Sequence, residues 1–277
     1  MPEVELSAGM VEYEDSGGEG PALVLIHGLA MDSRVWEDLV AELAPELRCV
    51  APTLPFGSHR VAMKPDADLS LVGLSRLVSE LIAKLGLKQV TLCFNDWSCG
   101  QVMVAEGLLG DVDRLIFASC ETEGNYPPGL AGQAAVISAR VPGGLSLMRR
   151  ILLSPRLRRL PMIYGQMTRR GVPDDLMRSW LEPLARPEIQ RDVRKYVLDV
   201  KRGRKAMSAA TASLASYDDP VLVLWDRDGK MMPNDLGRKL AGDFPNARFV
   251  EVADSYTLIP IDQPAAMAAA IREFVTS

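Results

Sequence analysis

A chain of 277 residues, 48% hydrophobic and 24% charged, holds enough apolar material for one globular domain with an insertion, or two small domains sharing a core. Its net charge of −5 argues against a nucleic-acid partner, and no uninterrupted apolar run reaches membrane-spanning length. The four cysteines, Cys49, Cys93, Cys99 and Cys120, lack metal-ligand spacing; small apolar packing is their expected role, and with no secretory leader in view a reduced, cytoplasmic setting is expected.

In chain order, Met10 to Asp15 alternates weakly and is predicted as an edge strand. Ala22 to Ile26 is a buried strand ending at His27-Gly28. Ser33 to Leu43 has helical spacing, with Asp32 or Ser33 able to cap it, and Cys49 to Pro52 is a short strand. Ser70 to Leu85 is an amphipathic helix with Leu71, Leu74, Val78, Leu81 and Ile82 on one face. Gln89 to Phe94 is a strand, Gln101 to Leu109 its helix, and Leu115 to Ser119 another strand. From about Glu121 to Ser216 only helical stretches appear, broken by proline and glycine. Alternation resumes with Pro220 to Trp225, a helix near Asn234 to Asp243, a strand at Arg248 to Val252 and a last helix from Pro264. The pattern predicts an α/β fold with a mostly parallel sheet covered on both faces. It places residues 1–120 and 217–277 in the core and 121–216 in a helical cap over the sheet's C-terminal edge, where ligands bind in such folds.

The chemistry concentrates in Leu92 to Gly100, L-C-F-N-D-W-S-C-G, a strand running into a sharp turn and then a helix. Asp96 stands at the turn. His27-Gly28 follows an earlier strand, and Asp262-Gln263-Pro264 opens the last helix. With the helical insertion, these segments resemble the α/β-hydrolase family over nearly the whole chain. The aspartate–tryptophan pair at the elbow is similar to that of epoxide hydrolases and haloalkane dehalogenases. In those enzymes the carboxylate attacks an sp3 carbon to give an alkyl ester, and the tryptophan helps to hold the leaving group. Water must then cleave the ester, with a histidine–acid pair to activate it.

That pair is where the sequence departs from the family. The segment matching the histidine loop, A-D-S-Y-T-L-I-P, has none; Thr257 aligns with the histidine and Tyr256 with the glycine that usually precedes it. The chain has two histidines, His27 and His59, both far upstream. The usual acid position in W-D-R-D-G-K falls on Gly229, one residue after Asp228. A second acid position of the family, after the strand before the cap, falls at or beside Glu121, which either faces Asp96, where two close carboxylates raise one pKa, or is a solvated or helix-capping residue at the cap junction. The resemblance thus implies a degenerate triad, with Asp96, Glu121, Asp228 and His59 as catalytic candidates. His59, in a loop at the sheet's C-terminal edge, is the candidate substitute base, whereas His27 is expected to be structural.

The family's oxyanion hole maps onto the amides of Leu29 and Trp97, the latter at a helix N-terminus. Phe94 fills a position normally small because backbone crowds it. Ser98 as the nucleophile, in a shifted frame, is a weaker reading that would still lack a histidine. Phe94, Tyr164, Tyr256 and Thr257 join Leu29 and Trp97 as substrate-binding candidates. In the cap, Tyr126, Trp180, Met148, Met162 and Met167 line either a pocket or the cap's own core. Arg149, Arg150, Arg156, Arg158, Arg159, Arg169 and Arg170 form a solvated face, or a dock for an acidic carrier or anionic surface. The expected partner is a mainly apolar small molecule, with no cofactor or metal, and a homodimer is open. Three function classes follow: an enzyme doing acid–base, isomerase, lyase or cyclase-like chemistry with Asp96; an epoxide-hydrolase-like or dehalogenase-like hydrolase; and a ligand-binding pseudoenzyme.

Overall fold

Ala22–Ile26 is apolar at every position, so neither of its faces tolerates water, and it forms the inner strand β3 of an eight-stranded sheet. The computed structural model describes residues 1–161 and 163–276. Around β3 (Ala22–Ile26) the strands are β1 (Glu3–Leu6), β2 (Gly9–Asp15), β4 (Arg48–Pro52), β5 (Val90–Asp96), β6 (Val112–Cys120), β7 (Val221–Asp226) and β8 (Ala247–Val252). Their spatial order is β1-β2-β4-β3-β5-β6-β7-β8. The β1–β2 and β2–β4 pairs are antiparallel and the other five pairs are parallel. The predicted edge strand is therefore not the edge: β1 covers it, and at four residues its alternation is too short to read from sequence.

The helices follow their local chemistry. Leu71–Lys84 starts where the Ser70 hydroxyl accepts from Gly73 N at 3.1 Å, and it buries the expected leucine, valine and isoleucine stripe. Gly100–Ala105 stops short of the predicted Leu109, because Gly107 takes φ 64°. The segment expected as one helix from Ser33 divides into a 3-10 turn, Ser33–Trp36, and a helix, Glu37–Leu43, with Asp32 as its cap.

Between β6 and β7 the insertion forms helices Gly129–Arg140, Gly144–Leu153, Asp174–Leu181, Pro187–Val197 and Val200–Ser213. The first two pack on each other, while Val200–Ser213 lies against the core helices Gly100–Ala105 and Leu71–Lys84. Among the described residues no helix is long and apolar enough to cross a membrane.

Strand order reverses between β3 and β5: the chain leaves β3 toward β4 and returns on the other side as β5. The loops leaving these two strands diverge and open a crevice at their C-terminal ends. The functional residues gather there.

Candidate active site

Asp96 ends β5 with φ 59°, a left-handed conformation that a non-glycine residue holds only at a cost of about 1–3 kcal/mol. The β5–β6 register shifts between Asn95 and Asp96, which turns the Asp96 side chain out of the ladder. The loop after β3 meets it. Leu29 N donates to Asp96 Oδ2 at 3.2 Å, and the Trp97 amide also favours the charged carboxylate. Gly28 makes this approach possible, since a Cβ there would overlap Asp96 Oδ2. Asp96 Oδ1 is buried with no hydrogen-bond partner among the described residues. The carboxyl is 2% exposed, and burial raises its pKa from 3.8 to about 6 against the two amides. The amides expected to serve a substrate oxyanion are therefore engaged by Asp96 itself.

Asp96 and Trp97 sit at the base of a cavity of about 260 Å³. Its walls come chiefly from helices Gly129–Arg140 and Gly144–Leu153, including Ala131, Ile137, Val141, Leu147, Met148 and Ile151. Leu29, Met167 and Tyr164 also line it, and Asp96 is its one carboxylate. The Tyr164 hydroxyl donates to Ala30 O at 3.5 Å, and the Asp96 charge adds to the upward pKa shift that burial gives the phenol. Trp97 Nε1 is buried and meets no acceptor at hydrogen-bond geometry, although the Tyr126 phenol lies near enough to feel it.

Glu121 lies behind the elbow and does not line the cavity. Its Oε2 accepts from Ser98 N at 3.0 Å, and its own amide donates to Asp96 O at 3.2 Å. Burial lifts its pKa to about 8, with the Asp96 charge adding to the rise. Glu121 therefore carries the proton near neutral pH, and Asp96 feels no charge from it.

The other candidates go elsewhere. His59 is absent from the cavity lining: its Nδ1 accepts from Gly57 N at 3.3 Å and its Nε2 meets Asp192 Oδ2 at 3.3 Å, so the expected substitute base is committed to the insertion. Asp228 lies at the surface, 3.0 Å from Arg169 Nη1, and does not reach the cavity. Phe94 is core rather than substrate-binding, stacked on Phe117 at 5.8 Å. Tyr256 lines a separate polar cleft with Arg169, and Tyr164 borders both spaces. Thr257 is fully buried with Oγ1 unpaired, and its carbonyl accepts from Asn95 Nδ2 at 2.8 Å, which clips its loop to the elbow. His27 is structural, as expected, between Gly28 O and Leu54 N. Met148 and Met167 line the cavity, Trp180 is tied to Asp32, and Met162 lies outside the described residues.

Two participants have only a faint signal in sequence. Tyr196 is fixed by the Ile189, Val193, Tyr196 spacing of its helix, and its hydroxyl donates to Trp97 O and Ser98 O at 3.2 and 3.1 Å. Asp226, at the end of β7, is fully buried, and its pKa rises to about 6 by desolvation. Neither of its oxygens closes a hydrogen bond of ordinary geometry, although the Ser119 hydroxyl and Gly229 backbone lie close enough to favour its charge. A Cβ on Gly229 would overlap Asp226 Oδ2. The Asp226 carboxylate thus fills the space beside Gly229.

A family model described as alpha/beta hydrolase family matches residues 23–270. This chain belongs to the alpha/beta hydrolase family. A haloalkane dehalogenase from Mesorhizobium japonicum is 29% identical over 87 residues, 31% of this alpha/beta hydrolase and 28% of that protein, so the match spans under a third of that relative. Haloalkane dehalogenase 2 of Mycobacterium tuberculosis is 23% identical over 274 residues, covering 96% of this chain and 92% of its own. Among solved structures, haloalkane dehalogenase DbeA from Bradyrhizobium elkani superposes with a TM-score of 0.73 at 17% identity, over 99% of this chain and 96% of that one. At such identity the likeness establishes the fold.

Proposed function

We propose that this alpha/beta hydrolase acts on a mainly apolar small organic molecule by proton transfer at Asp96, in an isomerisation, elimination or ring closure, without completing a hydrolysis. The observation that carries this reading is the unpartnered Asp96 Oδ1 at the base of an apolar cavity whose lining contains no imidazole. A carboxylate with a pKa of about 6 is mostly ionised at neutral pH, yet a stronger base than one at 3.8. With Oδ2 held by the Leu29 amide, Oδ1 takes a proton from carbon beside a carbonyl, exchanges it with solvent and returns a proton to the same molecule, which balances without a second organic reactant. The unpaired Trp97 Nε1 supplies a donor for the carbonyl oxygen, and the Tyr164 hydroxyl another once it turns from its long contact with Ala30 O. The insertion, 121–216, is the lid over the chamber.

One observation favours a second reading. Oδ2 on the Leu29 amide with Oδ1 unpartnered is also the orientation that attack on an sp3 carbon needs. The resulting ester would persist, because His59 is bound to Asp192. Two measurements separate the readings. Apolar ketones incubated with the protein in D2O and followed by NMR exchange their α-protons in the wild type and not in Asp96→Asn. Intact mass after exposure to an alkyl bromide or an epoxide shows no added group. A stable adduct on Asp96, with no exchange in any ketone, would replace proton transfer by a stalled displacement.

A further inference from the structure

Large apolar side chains are not spread evenly over the surface. Among the described residues, those exposed include Leu130, Ile137, Val141, Leu147, Leu157 and Leu160, all in one part of the insertion, and elsewhere only Met1, Val61 and Leu198. The same part is uniformly basic. Residues 124–173 contain eight arginines and no lysine, aspartate or glutamate, in a chain of net charge −5. Three of those arginines are committed: Arg149 to Leu181 O, Arg158 to Val172 O and Asp174, and Arg169 to Asp228 and Asp254. Arg140, Arg150, Arg156, Arg159 and Arg170 are exposed, and none of their guanidinium groups pairs with a carboxylate among the described residues. Ordinary solvated faces intersperse both signs of charge and do not gather leucine and isoleucine.

The cavity opens within this patch. Ile137, Val141 and Leu147 line it and are 61, 50 and 59% exposed, so the same side chains face the Asp96 chamber and the outside. We propose that this face of the insertion docks on an anionic lipid surface, with the mouth of the Asp96 cavity against the bilayer. The free arginines lie at the headgroups and the leucine and isoleucine side chains enter the acyl boundary. Charge complementarity selects the occupant: an acidic protein would satisfy the arginines but leave six large apolar side chains against a polar partner, whereas a bilayer satisfies both. Attachment is peripheral, since no described helix can span a membrane. On the Asp96 reading above, the substrate is then an apolar molecule dissolved in the membrane, which enters the chamber without crossing water.

Docking is measured without turnover, so its failure leaves the Asp96 reading standing. The full chain is mixed with vesicles of equimolar phosphatidylglycerol and phosphatidylcholine, or of phosphatidylcholine alone, and separated by flotation. Retention on the anionic vesicles is expected, falling steeply in pure phosphatidylcholine and at about 0.5 M salt. Arg150→Gln/Arg156→Gln weakens it roughly fivefold per arginine, and Ile137→Ser/Leu147→Ser roughly tenfold per side chain. Folding of each variant is checked by circular dichroism. The proposal is overturned by no retention of folded wild type; by retention unchanged in both variants; or by a dimer in sedimentation that Ile137→Ser/Leu147→Ser dissolves, which would make the patch a contact between two copies. Equal binding to poly-glutamate, indifferent to the apolar substitutions, would assign the arginines to an acidic protein and also overturn it.

Discussion

Asp96 is held by what surrounds it rather than by a catalytic partner. Two amides favour its charge and burial opposes it; burial wins, and the group settles at about 6. A base must be unprotonated, so proton-transfer turnover falls as pH drops through about 6, approaching tenfold per pH unit below it. A rate profile for ketone exchange between pH 4 and 8 checks this; a profile flat through 6 counts against Asp96 as the base. Gly28 supports the same geometry from the other side of the crevice. Gly28→Ala places a Cβ on Asp96 Oδ2 and parts it from Leu29 N. A hydrogen bond to a charged group is worth about 1.5–3 kcal/mol, so the exchange rate should fall roughly ten- to hundredfold with the fold intact. An unchanged rate would mean that the carboxylate needs no such anchor.

The turn after β7 shows a glycine and a carboxylate sharing one space. Gly229 carries no side chain, and the Asp226 carboxylate fills the space beside it. Gly229→Ala therefore overpacks a buried site and should destabilise by about 1–3 kcal/mol, and Asp226→Gly should recover most of that in the double variant. Chemical denaturation of the four proteins measures the coupling; additive effects would deny the contact. A similar exchange occurs at the elbow. Phe94 occupies a position expected to be small, and Gly100 supplies the space instead: a Cβ there would sit 2.6 Å from both the Phe94 and Phe117 rings. These substitutions mark the boundary of what sequence conveys. The inner strands, the amphipathic helix from Ser70 and the aspartate at the elbow are legible because each rests on a local run or motif. His59 is not, because its partner Asp192 lies 133 residues away and nothing near either residue announces the pairing. The cavity wall is equally silent, since Ala131, Gly132 and Ala135 are small residues with little periodic signal.

Across the whole molecule, buried carboxylates give stability an uncommon dependence on pH. Asp96 and Asp226 rise from 3.8 to about 6 and Glu121 from 4.5 to about 8 on folding. An acid with a raised value binds more protons folded than unfolded, so its contribution is complete below the unfolded value and is lost as pH climbs through the folded one. Histidine works against this at lower pH. His27 falls from 6.5 to about 4, also by burial, and so adds stability as pH rises between those values, as does the lowered His59. Between pH 4 and 6.5 the opposing slopes partly cancel. Above about 7 the histidines are mostly neutral in both states, while Glu121 still has its proton to lose in the folded protein. Stability should therefore fall between pH 6.5 and 8 by on the order of 1 kcal/mol, a drop of a few degrees in Tm. Glu121→Gln keeps an acceptor for Ser98 N and removes the titration. Its melting temperature should lie close to wild type near pH 4, exceed it at pH 8.5, and lose the fall between pH 6.5 and 8. A variant that melts below wild type at both values, with the slope intact, would place the lost proton on another group.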